Sequence, residues 1–188
     1  MNDHIVVDVE IAHTIEEVGG WDHTESMGVA CAVVYEYRTD CFRVYGPRDV
    51  QALQSRLLLA DRITGFNTYR FDFPVIWGLP GRERVTELKH QSNDLLQRIW
   101  RSLGLDEEQF SNLHKGWGLD AVCQGTLGVG KSGNGADAPR WFQAGDWGRL
   151  VDYCINDVRL ERDLGEFIDK YGFVINGTTD QVLRITAP

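Results

Sequence analysis

Asp8 and Glu10 interrupt the most apolar stretch of the chain, "HIVVDVEIA" at residues 4–12. A two-residue period puts both side chains on one face of a strand. Two carboxylates on one buried face repel each other, and burying them is expensive. A divalent cation between them removes both penalties. Taken alone, the pair reads first as a strand end that meets solvent, because D-x-E is a short pattern. A third acid, Asp72, sits between two phenylalanines in "GFNTYRFDFPVI". By itself it is a helix N-cap, and Asn67 in the same segment is a turn residue. A third place is "DYCINDVRLERDL". There Tyr153 and Asp157 stand four residues apart and share one face of a helix. Alone, that is an amphipathic helix with surface charge.

A different chemistry is offered by "GTLGVGKS", residues 125–132, which fits the phosphate-loop pattern at every defined position. That pattern binds phosphate only between a buried strand and the start of a helix. The residues before it, "GLDAVCQ", read as helix. Those after it, "GNGADAP", hold two glycines and a proline and do not open one. A nucleotide-hydrolysing reading therefore lacks its context. The glycines at 128, 130, 133 and 135 predict a flexible loop near the mouth of a site instead.

The elements that must position these groups follow from periodicity. Strands are predicted over "HIVVDVEIA", "MGVACAVVYEY" and "CFRVYG", the last two joined by "RTD", too short for anything but an antiparallel connection. "HTIEEVGGWDHTES" between the first two reads as a loop. A helix over "VQALQSRLLLA", a short strand over "RITGFN" and a short helix over "DFPVIWGL" come next. "SNDLLQRIWRSLG" and "GLDAVCQGTLG" read as helices, and residues 128–140 as a loop. "DWGRLVDYCINDVRLERDLGEFIDKYG" is a long helix capped by Asp146 and ended at Gly172. The tail "FVINGTTDQVLRI" predicts a hairpin around Asn176-Gly177. The whole predicts one α/β domain over residues 1–188: a mixed sheet, three antiparallel strands and then parallel ones, flanked by helices.

A chain of 188 residues with 43% apolar and 25% charged residues builds one sizeable core. Four scattered cysteines, none in a C-x-x-C pair, point away from a disulfide scaffold or zinc cluster and towards a reducing cytoplasmic setting. No apolar run is long enough for a membrane span, and no basic leader precedes the first strand. The net charge of −9 argues against gripping nucleic acid through bulk positive charge. It leaves open an enzyme whose carboxylates hold cations, since bound metals reverse the local field.

Taken together, D-x-E in a first strand, N-x-x-x-F-D before a helix and Y-x-x-x-D in a late helix are far more specific than any one of them. In this order they resemble the DEDD superfamily of 3′→5′ exonucleases, which have the ribonuclease H-like fold. The resemblance runs from about Ile5 to Leu164. It is strongest to the branch that includes exonuclease domains of family B DNA polymerases. "LDAVCQGTLGVGKSGNGADAP" and "VDYCINDVRLERDL" are similar to stand-alone members of that branch, some of them associated with helicases. The branch with a histidine base would need His at position 152. Asp152 stands there, with Tyr153 next to it, so the tyrosine variant is implied.

The resemblance implies a role for each residue. Asp8 bridges two divalent ions, Glu10 and Asp157 complete the shell of the first, and Asp72 holds the second through water. Tyr153 orients the attacking water. Two ions about 4 Å apart can activate a water and stabilise a leaving oxyanion, and carboxylate ligands suit Mg²⁺ or Mn²⁺. A tyrosine with a pKa of about 10 is a positioner rather than a base at neutral pH. Asn67 and Phe71 match positions that meet the substrate end, although Phe71 also reads as core. Lys115, Lys131 and Arg140 lie in segments that can face a phosphate backbone, or carry ordinary solvated charge. In this reading Lys131 neutralises at most one phosphate. Ile11-Ala12 departs from the D-x-E-T continuation of such enzymes.

The function expected is release of nucleoside monophosphates from the 3′ end of single-stranded nucleic acid, with DNA favoured over RNA by resemblance. Association with a helicase or polymerase is a further expectation. The alternative is a catalytically silent ribonuclease H-like module that binds nucleic acid or protein. Four carboxylates in a cluster weigh against it.

Overall fold

The computed structural model describes residues 3–106, 109 and 116–186, the side chain of Arg82 excepted. Lys115 lies outside the described residues. The β-branched runs of the sequence form β1 (His4–Ile11), β2 (Val29–Glu36), β3 (Cys41–Tyr45) and β4 (Arg62–Gly65), joined by a fifth strand, β5 (Ser92–Asp94). They make one sheet in the order β3-β2-β1-β4-β5. β1 and β3 both run antiparallel to β2. β4 is parallel to β1, and β5 to β4. The protein is thus α/β with a mixed five-stranded sheet flanked by helices. No described helix is long and apolar enough to cross a membrane.

Alternation along β1 divides the core. Ile5, Val7, Val9 and Ile11 pack with Leu53 and Leu57 of α2 (Val50–Leu59) and with Phe73 and Ile76 of α3 (Asp72–Trp77). Val6, on the other face, packs with Cys31 and Val33 of β2 against Leu150, Cys154 and Val158 of α8 (Trp147–Tyr171). Each large aliphatic residue so buried contributes roughly 1.5–3 kcal/mol. α8 starts and stops where its sequence says. The Asp146 side chain accepts from Arg149 N at 3.3 Å, and Gly172 closes the helix at φ 71°.

Four local expectations are corrected. Residues 13–26 are not irregular. Thr14 and Glu17 form a capping box that opens α1 (Ile15–Val18), and a 3₁₀ segment runs over Trp21–Ser26. Ser92–Asp94 is strand rather than helix. Asp94 is extended at φ −73°, ψ 111° and accepts from Leu96 N and Gln97 N, so α5 (Leu95–Ser102) starts only after it. Residues 128–140 are only partly loop, since a 3₁₀ turn at Gly135–Asp137 leads into α7 (Ala138–Gln143) with Pro139 in its first turn. α4 (Arg82–Glu87) lies in a segment given no helix above.

The tail does form a hairpin, β6 (Phe173–Ile175) with β7 (Val182–Arg184), separate from the main sheet. Its connection is longer than a two-residue Asn-Gly turn. Asn176 Oδ1 accepts from Thr178 N and Thr179 N, and Asn176 N donates to Gln181 O. Gly177 N is engaged by Ala121 O of α6 (Leu119–Leu127), which draws the turn residue out of a tight hairpin.

Candidate active site

The site begins where the parallel ladder stops. β4 accompanies β1 only as far as Val6 opposite Thr64. Beyond that point Val9 N has no strand partner on the β4 side, and Asp72 Oδ1 accepts its hydrogen at 3.0 Å. Asp72 is therefore the first residue of α3, not its cap, and its buried carboxylate is tied to β1 beside Asp8. Asp8 lies opposite Val33 and Glu10 opposite Cys31, on the sheet face covered by α8. The bulge after Glu10 interrupts the register there.

α8 presents its Tyr153–Asp157 stripe to the same place. Tyr153 and Asp157 are both buried, and Cys154 Sγ reaches Asp8 Oδ2 at 3.3 Å. Lys131 arrives from the loop after α6. Its ammonium ion-pairs with Asp157 Oδ2 and donates to the Tyr153 hydroxyl at 3.1 Å. The loop is pinned at its base, where Asp120 Oδ1 accepts from Lys131 N at 2.8 Å. Gly130 leaves room for this contact, since a Cβ would stand 2.5 Å from that same oxygen. Gly133 and Gly135 fit against the Tyr153 ring and hydroxyl, and Trp141 stacks edge-on to the ring at 5.5 Å.

Carboxylates outnumber cations in this nest. Burial first, then Asp157, pushes Asp8 up to about 7. Burial and then Asp8 hold both Glu10 and Asp72 well above the usual carboxylate range. Burial also raises Asp157, against the lowering pull of Lys131. For Lys131 burial works against the ammonium, yet Asp157 and Asp8 outweigh it and hold its pKa above the ordinary lysine value. Burial likewise raises Tyr153, so its hydroxyl stays protonated and acts as a hydrogen-bond donor or acceptor.

One acid of this nest escaped the sequence reading. Glu161 is only 2% exposed, and its Oε2 has no hydrogen-bond partner among the described residues. Burial and then Asp8, Asp72 and Asp157 push it well above its ordinary value. The signal was present, because Glu161 follows Asp157 by four residues on the same helical stripe. Cys154 was missed as well, and no spacing rule marks it.

The outlying candidates divide. Asn67 is buried, takes φ 68°, and leaves its Oδ1 without a partner among the described residues. Its backbone N donates to Asp94 Oδ1 at 3.0 Å. Phe71 packs on the β1 core and also meets the half-exposed Trp21, ring centres 6.2 Å apart. Arg140 is exposed and pairs only loosely with Asp137 at 3.5 Å, an ordinary surface charge. Lys131 is partly buried, with its ammonium against Asp157 and Tyr153. Residues 125–132 connect helix to loop, so the strand–loop–helix context of a phosphate loop is missing.

Carboxylate oxygens, the donors that hard divalent cations take, line the nest together with one thiol, and Asp157 Oδ1 is buried with no hydrogen-bond partner among the described residues. The tightest three-residue set among the described residues is Asp8, Glu10 and Cys154, with one donor atom of each within 4.8 Å of the others. Asp72 and Asp157 lie outside that set, with Lys131 on Asp157. No protein-family model matches this chain, and no curated protein matches its sequence.

Proposed function

We propose that this protein is a metal-dependent 3′→5′ exonuclease of the ribonuclease H-like, DEDD type, in its tyrosine variant, acting on single-stranded nucleic acid with DNA favoured. One observation carries the reading: β1, α3 and α8 deliver Asp8, Glu10, Asp72, Asp157 and Tyr153 to one buried nest whose negative charge a single lysine does not balance. Such an excess is costly in an empty site and favourable around divalent cations.

Asp8, Glu10, Asp72 and Asp157 would hold Mg²⁺ or Mn²⁺. Bound there, such ions would acidify water and stabilise the developing charge on the leaving oxygen. The protein's own groups do the rest. The Tyr153 hydroxyl, held by Lys131 at 3.1 Å and with Trp141 against its ring, would hydrogen-bond the attacking water. Lys131 also supplies a fixed positive charge beside a reacting phosphate. Trp21 and Phe71 form an aromatic pair next to Asp72, able to stack a terminal base without regard to its identity. Partnership with a helicase or polymerase is proposed on resemblance alone.

The test is cleavage of end-labelled single-stranded DNA and RNA with Mg²⁺, with Mn²⁺ and with EDTA, the products resolved by length. The expected result is stepwise shortening from the 3′ end with release of mononucleotides, abolished by EDTA. Intact substrate under every metal condition would overturn the proposal.

A further inference from the structure

We propose that Asp8, Glu10 and Cys154 form a thiol-bearing corner of the acidic nest that captures a thiophilic divalent cation, Zn²⁺ or Cd²⁺. Placing that corner inside a nuclease site rests on the function proposed above. The binding itself does not.

The geometry comes first. One donor atom from each of the three residues lies within 4.8 Å of the other two. The closest edge, Cys154 Sγ to Asp8 Oδ2, is 3.3 Å. A tetrahedral site with metal–sulfur and metal–oxygen bonds of about 2.3 and 2.0 Å has a sulfur–oxygen edge of about 3.5 Å. Two of the three ligands are therefore already spaced as ligands, and a modest closing movement of the third completes the set. Rigid elements hold all three: Asp8 and Glu10 lie in the central strand β1, and Cys154 is in the body of α8, fully buried.

An independent sign comes from Asp157. It is 1% exposed, lies one turn beyond Cys154 on α8, and leaves Oδ1 without a hydrogen-bond partner within bonding geometry among the described residues. This buried carboxylate oxygen lies outside the three-donor set but in the same nest, where Asp157 is a leading charge on both Asp8 and Glu10. Lys131 keeps the other oxygen of Asp157 and remains as counter-charge.

Ligand softness separates this corner from the rest of the nest. Carboxylates alone select Mg²⁺ or Mn²⁺, whereas a thiolate selects zinc-like ions. Binding replaces the thiol hydrogen: the Cys154 S–H bond breaks, the proton leaves to solvent, and the sulfur lone pair goes to the cation. Nothing is oxidised or reduced. Because Asp8 and Glu10 serve both kinds of ion, a thiophilic cation in this corner displaces the hard ions and blocks the proposed reaction.

The experiment uses the full chain with Cys41→Ser, which removes the exposed thiol, and titrates it with Cd²⁺. The cadmium–thiolate charge-transfer band is followed in the ultraviolet, and X-ray absorption at the cadmium edge counts sulfur ligands. One sulfur per bound ion is expected. Adding Cys154→Ser should remove the band and weaken Cd²⁺ binding at least tenfold, with an unchanged circular dichroism spectrum. Absence of the band in the Cys41→Ser protein, or its persistence after Cys154→Ser, overturns the proposal. So does a sulfur count of zero or two, a reading that needs no second variant should Cys154→Ser fail to fold. In Mg²⁺-supported cleavage, Zn²⁺ should inhibit the parent at a concentration at least tenfold lower than the Cys154→Ser variant, and equal inhibition counts against the corner. Should the protein cleave nothing with Mg²⁺ or Mn²⁺, the nuclease reading fails while the cadmium measurements still decide this one.

Discussion

Glu10 and Glu36 lie on adjacent strands of one sheet and are equally buried, each 6% exposed. Their surroundings could hardly differ more. Burial pushes Glu36 up, but hydrogen bonds from Arg56, Arg43 and Thr39 outweigh it and bring the pKa down to about 2. Arg56 Nε donates to Glu36 at 2.8 Å, and both terminal nitrogens of the same guanidinium bond Asp3, also at 2.8 Å. Around Glu10 the neighbours are acids. Burial, then Asp8 and Asp157, hold its pKa well above the ordinary value. Equal exposure thus accompanies a balanced structural cluster in one place and, around the more deeply desolvated Glu10, an unbalanced one in the other. Burial of a carboxylate does not mark a functional site; the absence of matching positive charge does.

The sharpest way to break this contrast is to remove acids from the unbalanced end. Asp8→Ala or Asp157→Ala should reduce cleavage by roughly three orders of magnitude or more, while Arg56→Ala leaves turnover of the folded protein within a few-fold. Steady-state assays on a labelled single strand check this, and near wild-type rates in Asp8→Ala would dissolve the functional half of the comparison. Tyr153→Phe tests the group that positions water. A fall of roughly one to three orders of magnitude in kcat, with KM little changed, is expected from loss of one positioning hydroxyl.

Stability should respond in the opposite sense. Arg56→Ala strips the guanidinium from Glu36 and Asp3, and should cost about 2–4 kcal/mol in urea unfolding. A loss below about 0.5 kcal/mol, the size of a surface pair, would mean that the balanced cluster is not structural.

Proton linkage separates the two ends further. Asp8 has a folded-state pKa of about 7 against an ordinary 3.8. The metal-free native state then binds more protons than the unfolded chain between those values. Its contribution to stability is fully present below pH 3.8 and is lost as pH rises to about 7. Glu36, lowered from 4.5 to about 2, behaves inversely: its contribution is present above pH 4.5 and lost as pH falls towards 2. Thermal melts in EDTA should therefore show stability declining from pH 5 to 8, and Mg²⁺ should raise the melting temperature at pH 8 more than at pH 5. An equal rise at both values would remove the acids from metal binding.

The smallest effect belongs to Glu161. Replacing it with Gln removes one ionisable group from an already crowded nest, and should stabilise the metal-free protein at pH 8 by about 1 kcal/mol. Chemical denaturation in EDTA measures it, and a loss of stability would show that the Glu161 carboxylate has a structural partner instead.

Much of the scaffold was legible in the sequence because it is encoded over a few residues. The alternation in "HIVVDVEI" sets the two faces of β1, and Asp146 and Gly172 set the ends of α8. Where local signals competed, reading failed. The helical spacing of its neighbours predicts Asp94 inside a helix, although an N-cap is extended and β5 needs that extension to pair with β4. The Thr14–Glu17 capping box was overlooked amid a polar, glycine-containing segment.

The sequence by itself determined which site residues share a face: Asp8 with Glu10 by the strand period, and Tyr153 with Asp157 and Glu161 by the helical one. Only the tertiary structure decided how much charge each would meet. Asp72 reaches Val9 N across 63 residues of chain, Lys131 reaches Asp157 across 26, and Cys154 reaches Asp8 across 146. Periodicity is a property of neighbouring backbone torsions and can be read locally. Charge balance is a sum over everything that packs within a few ångströms, and that sum exists only once distant segments have been brought together.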